Sequence, residues 1–228
     1  MGNVRMGVLG GTFNPIHFGH LHIAKTIQKI FSLTQVQFVV ATTPPHKLPE
    51  GLIPFNHRYA MVSLAIAGRP SFIPSMIELE PQASPFSVDT MDKLSCCVGQ
   101  NKWNLYFIAG GDSLVEVKSW RESEKLLTSY NFVFAMRPGV QLPDLGEVLP
   151  EIAIGRVRNL TGLRPVQIRR VIAQEPSQEN RIYIVDIDAP DISATDIRRL
   201  VSMGKSIQRM VPEPVCEYIR KLDLYGAR

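Results

Sequence analysis

The amino-acid sequence predicts an α/β fold: a Rossmann-like, doubly wound parallel sheet with helices on both faces and a small helical part at the C-terminal end. Three observations carry the prediction. Short apolar, β-branched runs alternate with segments whose apolar residues recur at helical spacing. The runs are apolar at successive positions, as strands covered on both faces require. Two of them end in glycine pairs, Gly10-Gly11 and Gly110-Gly111. In open α/β sheets, ligands sit beyond the carboxyl ends of the strands, where the winding reverses.

The elements follow in order. Met6 to Leu9 forms the first strand, and Leu21, Ile23, Ala24, Ile27 and Ile30 mark the helix after it. Val36 to Ala41 is the second strand, followed by a helix on Met61, Leu64 and Ala65. Phe72 to Ile77 is the third, with Val88, Met91 and Leu94 on the next helix. Leu105 to Ala109, Phe132 to Met136 and Ile182 to Ile187 complete the strands. Between the last two, Pro138, Gly139, Pro143, Gly146, Pro150, Gly155, Gly162 and Pro165 punctuate the chain. Residues 139–180 are therefore expected to be a loop-rich insertion with one helix near Val166 to Ala173. Helices over Ala194 to Met203 and Val215 to Leu222 make the C-terminal part, residues 193–228.

With 228 residues, 45% of them hydrophobic, the chain suits one core, and a single domain over residues 1–228 is expected. The net charge of +4 comes from interspersed charges with no basic stripe. That speaks against nucleic acid and suits a small anionic substrate. The three cysteines, Cys96, Cys97 and Cys216, form neither a disulfide framework nor a metal-ligand spacing, and are expected as reduced thiols in the cytoplasm. No signal-peptide pattern opens the sequence and no run of about 18 apolar residues occurs in it, so no membrane partner is expected. Homo-oligomerisation is left open.

The richest stretch chemically is Gly10-Gly11-Thr12-Phe13-Asn14-Pro15-Ile16-His17-Phe18-Gly19-His20, between a strand and an amphipathic helix. Glycines let backbone approach a phosphate, and the free N–H groups and dipole of a helix start favour an anion. His17 and His20 are three residues apart, so on the first helical turn both imidazoles share a face and can donate to the same phosphate oxygens. The pattern is neither G-x-G-x-x-G nor a P-loop, because no Gly-Lys-Ser/Thr follows. Taken singly, the features have plainer explanations. A Gly-Gly after a strand is ordinarily a tight turn, Trp120 a packing aromatic, Lys47 a solvated loop residue and Asp89 a helix-start carboxylate.

The stretch resembles the GGTFDPxHxGH motif of the nucleotidyltransferase superfamily, and further segments make the chain similar to the bacterial nicotinate-mononucleotide adenylyltransferases. Thr43-Pro44-Pro45-His46-Lys47 resembles the family's PPHK loop, and Arg58, Met61, Leu64 and Ala65 its R-x-x-M-x-x-L-A helix. Pro85 to Met91 is similar to SYTVDTL, and Gly110-Gly111-Asp112-Ser113-Leu114 with Trp120 to GADSL and its tryptophan. Arg137-Pro138-Gly139 and Ile192 to Arg198 resemble RPG and ISSTxIR. Several ordered motifs are more specific than any one.

The resemblance implies transfer of AMP from ATP to nicotinate mononucleotide, giving nicotinate adenine dinucleotide and pyrophosphate in NAD biosynthesis. It implies catalytic roles for His17, His20, Arg198 and Lys47. It implies ATP contacts at Gly10, Gly11, Thr12, Phe13, His17, Gly19, His20, Gly110, Ser193, Thr195 and Arg198. Acceptor contacts fall on Lys47, Phe86, Ser87, Asp112, Trp120 and Arg137. Mg²⁺ is expected to arrive with ATP, since no carboxylate cluster is set out to hold it alone. The local physics agrees at Ser87, where a helix start offers N–H groups to a carboxylate.

Departures are visible too. Asn14 stands where the superfamily often has Asp, Pro85 and Phe86 replace Ser and Tyr, Gly111 replaces Ala, and residues 139–180 match nothing in the family pattern. The alternatives are an adenylyltransferase for nicotinamide mononucleotide or phosphopantetheine, and a catalytically idle nucleotide-binding module.

Overall fold

The computed structural model describes residues 4–42, 51–80, 83–98, 103–137, 139–175 and 179–226. Among the described residues, seven strands form one parallel sheet: β1 (Val4–Gly11), β2 (Gln35–Val40), β3 (Phe72–Ser75), β4 (Trp103–Gly110), β5 (Asn131–Met136), β6 (Val157–Asn159) and β7 (Ile182–Asp186). Their order across the sheet is β3-β2-β1-β4-β5-β7-β6. The chain starts in the middle, winds outward through β2 to β3, then returns to lay β4 against the free side of β1. The winding therefore reverses between β1 and β4, paired with Val8 opposite Phe107 and Leu9 opposite Ile108. Both glycine pairs lie at the carboxyl ends of these two strands, where such sheets bind ligands.

Successive strand residues feed opposite cores, which is why the runs are continuously apolar. Leu9 and Ile108 join the core beneath α1 (Phe18–Phe31), α2 (Phe55–Ile66) and, further along the chain, α8 (Pro165–Gln174), α9 (Ala194–Ser202) and α10 (Glu213–Lys221). Val8 and Phe107 join the core beneath α3 (Ser87–Val98), with Leu114 of α4 (Asp112–Glu116) and Leu126 of α5 (Ser123–Ser129).

Residues 139–180 hold more order than loops and one helix. Besides α8 they contain the short helices α6 (Leu145–Val148) and α7 (Glu151–Ile154), and β6, which pairs with β7 as an edge strand. A three-residue strand reading Val-Arg-Asn is too short and polar to show a period. The run expected as the sixth strand is therefore the seventh. Helices α4 and α5 escaped notice because five and seven residues give at most two turns of pattern.

Candidate active site

Beyond Gly11 the chain turns sharply. Phe13 takes a left-handed backbone conformation, φ 48°, and its buried ring folds back so that a Cβ at Gly11 would stand 3.1 Å from it. The same ring meets His20 edge-on at 5.0 Å. His17 caps α1 in an extended conformation, and its backbone N–H donates to Nδ1 of His20 at 3.3 Å. An accepting Nδ1 leaves the neutral ring's proton on Nε2, so His20 presents an N–H donor outward. The two imidazoles lie 3.8 Å apart between centroids. Gly19 permits this, since a Cβ there would stand 3.0 Å from the His17 ring. Burial holds His17 down to about 4, and burial with the neighbouring His17 charge holds His20 well below the ordinary imidazole range. Both are neutral donors at neutral pH. Among the described residues, Nδ1 of His17 is buried with no hydrogen-bond partner.

The far end of the chain closes onto this cradle. Ser193 caps α9, its Oγ accepting from the Asp196 N–H at 3.0 Å and donating to the Asp196 carboxylate at 2.7 Å. One turn in, Arg198 donates from Nη1 to the Asn14 carbonyl at 2.9 Å and from Nη2 to Thr195 Oγ1 at 3.2 Å. The Asn14 side chain donates to the Gly51 carbonyl at 2.9 Å and accepts from the Tyr225 hydroxyl at 2.8 Å. Arg58, 1% exposed, donates to the carbonyls of Thr12, Ala41, Thr42 and Ile53. Asn14 and Arg58 thus pin the cradle to the chain on both sides of residues 43–50. Lys47 and the rest of the Thr43 to Lys47 motif lie outside the described residues.

Among the described residues, two cavities open at the carboxyl end of the sheet. The larger, about 660 Å³, is lined by His17 and His20, by Asp112 beyond β4, by Met136 at the end of β5 and Arg137 after it, and by Ser193 and Ala194 at the start of α9. The smaller, about 250 Å³, lies on the opposite face and is lined by Gly11, Thr12, Glu78, Phe86, Ser87 and Trp120. Gly10 and Gly110 line both, and no atom lies within 4 Å of where a Gly110 Cβ would stand. The cavities therefore meet where the strands carry no side chain. Gly111 is fixed by packing: a Cβ would stand 2.7 Å from Met136 Sδ, which accounts for the departure from alanine.

The structure brings together Gly10, His17, Gly19, His20, Gly110 and Ser193 around the larger cavity. Thr195 and Arg198 are not among its lining residues, nor is Phe13, whose ring packs edge-on against His20. The expected acceptor residues divide. Phe86, Ser87 and Trp120 line the smaller cavity, whereas Asp112 and Arg137 line the larger, Arg137 with Nη1 2.5 Å from the Asp191 carboxylate. Sequence reasoning missed Glu78, whose carboxylate accepts from the Thr42 N–H at 3.0 Å and is pushed up by burial. It also missed Tyr225 and the part Arg58 plays. Their partners are mostly backbone groups, which leave no mark in a sequence.

A parallel sheet with a glycine-lined cradle, two adjacent neutral histidines and two cavities meeting at the switch point is the architecture of a nucleotidyltransferase. The Cytidylyltransferase-like family matches residues 8–200. A protein of Thermoanaerobacter sp. (strain X514), named "Probable nicotinate-nucleotide adenylyltransferase", is 37% identical over 97% of this chain and 94% of its own. A protein of the same name from Geobacter metallireducens is 38% identical over 97% and 98%. Among solved structures, the fold matches Plasmodium falciparum nicotinic acid mononucleotide adenylyltransferase complexed with NaAD, with a TM-score of 0.72 at 17% identity over 99% of both chains. The chain belongs to the nicotinate-nucleotide adenylyltransferases, within the cytidylyltransferase-like family.

Proposed function

We propose that the protein transfers AMP from ATP to nicotinate mononucleotide, releasing pyrophosphate and forming nicotinate adenine dinucleotide. The observation that carries this reading is the meeting of two cavities at Gly10 and Gly110 beside His17 and His20. ATP takes the larger cavity and the pyridine nucleotide the smaller. The acceptor phosphate attacks the α-phosphorus in line at their junction, with no covalent enzyme intermediate. Catalysis then rests on positioning and on donors aimed at charge developing on the phosphoryl oxygens. The His20 Nε2–H and the His17 ring supply those donors, with Thr12 and the backbone about Gly11 holding the phosphates. Arg198 steadies the cradle through Asn14 and adds positive charge for the leaving pyrophosphate. Lys47 serves the phosphates as a mobile point charge. Trp120 stacks on the pyridine ring, Ser87 at the α3 N-terminus faces its carboxylate, and Asp112 and Arg137 serve the nucleotide in the larger cavity.

A divalent cation, Mg²⁺, enters with ATP and offsets charge on the leaving pyrophosphate. The donor set suits an ion carried on the triphosphate: Asp112 is the carboxylate among the residues lining the larger cavity, and among the described residues no cluster of three or more His, Cys, Asp or Glu is placed to hold a metal. Three free thiols fit a cytoplasmic setting. Among the described residues no helix is long and apolar enough to cross a membrane.

The test is pyrophosphate release from ATP with nicotinate mononucleotide, nicotinamide mononucleotide or phosphopantetheine as acceptor, for wild type and His20→Ala. The expected result is fastest turnover with nicotinate mononucleotide and a loss in kcat of about 10²- to 10³-fold in the variant. Turnover with another acceptor alone would overturn the substrate, and ATP binding without turnover in both proteins would overturn the enzyme.

A further inference from the structure

Among the described residues, the smaller cavity has one cation in its lining, Arg121, and none of the family motifs matched in the sequence contains it. Its guanidinium carbon lies 4.8 Å from the centroid of the Phe86 ring, a cation–π contact. Its charge partners, Asp89 Oδ2 and Glu122 Oε1, each stand 3.7 Å from its nitrogens, beyond hydrogen-bonding distance. The side chain is half exposed, so these are loose surface pairs that a better-placed anion displaces at little cost. Trp120, the preceding residue, is braced edge-on against Phe107 at 6.0 Å and forms part of the same wall.

We propose that Arg121 is a specificity-determining residue, which favours an acceptor bearing a carboxylate over the matching amide by offering the carboxylate its guanidinium fork from above Phe86. The inference rests on the reaction proposed above. A carboxylate accepts at both oxygens and matches the planar fork, with charge assisting each bond. A carboxamide turns one acceptor into a donor and carries no charge, so half of that match becomes donor against donor. The other charged groups among the described lining residues, Glu78 and Glu116, are acidic, and carboxylates there would repel the carboxylate of the pyridine ring. Phe86 fits the same picture. It stands where the family pattern has tyrosine, and its ring face is the surface on which the guanidinium rests.

The test compares kcat/KM for nicotinate mononucleotide and nicotinamide mononucleotide in wild type, Arg121→Gln and Arg121→Lys, all at full length. Arg121→Gln is expected to lower the acid's value on the order of 10- to 100-fold, the loss of a charged hydrogen bond, while the amide's value and the KM for ATP hold. Arg121→Lys restores part of the preference, having the charge without the fork. Melting temperatures check that the variants stay folded, as substitution of a half-exposed side chain predicts. An unchanged acid-to-amide ratio in Arg121→Gln, or an equal fall with both acceptors, overturns the role of Arg121 with the reaction intact. Absence of pyrophosphate release by wild type with the acid removes the reaction itself, and this inference with it.

Discussion

Asn14 joins three distant segments: its carbonyl accepts from Arg198, its amide donates to Gly51, and its side-chain oxygen accepts from Tyr225. The side chain is 4% exposed, so each bond is shielded from water. An aspartate could still accept from Tyr225, but it has no proton for the Gly51 carbonyl, and two oxygens would face each other at the 2.9 Å now bridged by a hydrogen bond. Asn14→Asp is therefore expected to cost about 1–3 kcal/mol of stability, the penalty of a buried polar group left unsatisfied. The added charge beside an anion cradle should also raise the KM for ATP. Thermal melts and an ATP titration check both, and an unchanged melting temperature would show that the Gly51 contact does not matter. These bonds were hidden in the sequence for a physical reason. They span 37, 184 and 211 residues, and two of the three use a backbone carbonyl, which every residue has. His17 and His20 were legible because three-residue spacing on a helix start puts two rings together whatever the rest of the chain does.

At the level of elements, six of the seven strands were legible because burial on both faces demands successive apolar residues, and glycines at the ends of two marked the crevice. β6 was not, since an edge strand of Val-Arg-Asn needs only one apolar anchor. The allocation of Asp112 and Arg137 to the larger cavity was equally hidden, because which face of the sheet a loop residue lines depends on the path after the strand. α9 shows an element setting a site residue's bearing. Its cap is the Ser193 hydroxyl, and Arg198 sits one turn further on, reaching Asn14 from a helix that the cap begins. Ser193→Ala should cost about 1 kcal/mol, the usual worth of such a cap, and should raise the KM for ATP as the first turn frays. Ser193→Asn, which can cap in its place, should recover most of the stability. Equal stability of serine and alanine proteins in denaturant titration would mean that the pair Asp196–Arg199, 3.0 Å apart, holds the turn unaided.

For the molecule as a whole, the neutral histidine pair ties folding to pH. The ordinary imidazole value is 6.5, and burial lowers His17 to about 4 in the folded protein. Between these values the unfolded chain binds more protons than the folded one, so stability rises with pH across that window. The contribution is complete above 6.5 and is lost as the pH falls towards 4. His20, lowered in the same direction, adds to it. Glu78, raised by burial, acts oppositely, binding its proton more readily when folded. Asp92 and Glu175 are held low by partners including Lys125 and Arg181, and their stabilisation is lost in a more acid range. Denaturant titrations at pH 7.5 and pH 5 therefore separate the histidines from Asp92 and Glu175, and comparison with a His17 variant cancels the opposing contribution of Glu78. Wild type should lose about 2 kcal/mol over that interval from His17 alone. His17→Asn places a residue favoured at helix N-caps at the head of α1 and has nothing to titrate, so its loss should be smaller by that amount. Binding of ATP should stabilise the protein by mass action at both values. It should do so more strongly at pH 5, because a phosphate against the rings favours their protonated form and raises the pKa that burial had lowered. A pH dependence identical in wild type and His17→Asn would mean that this histidine is not held neutral by the fold, and the picture of a cradle primed with uncharged donors would fail with it.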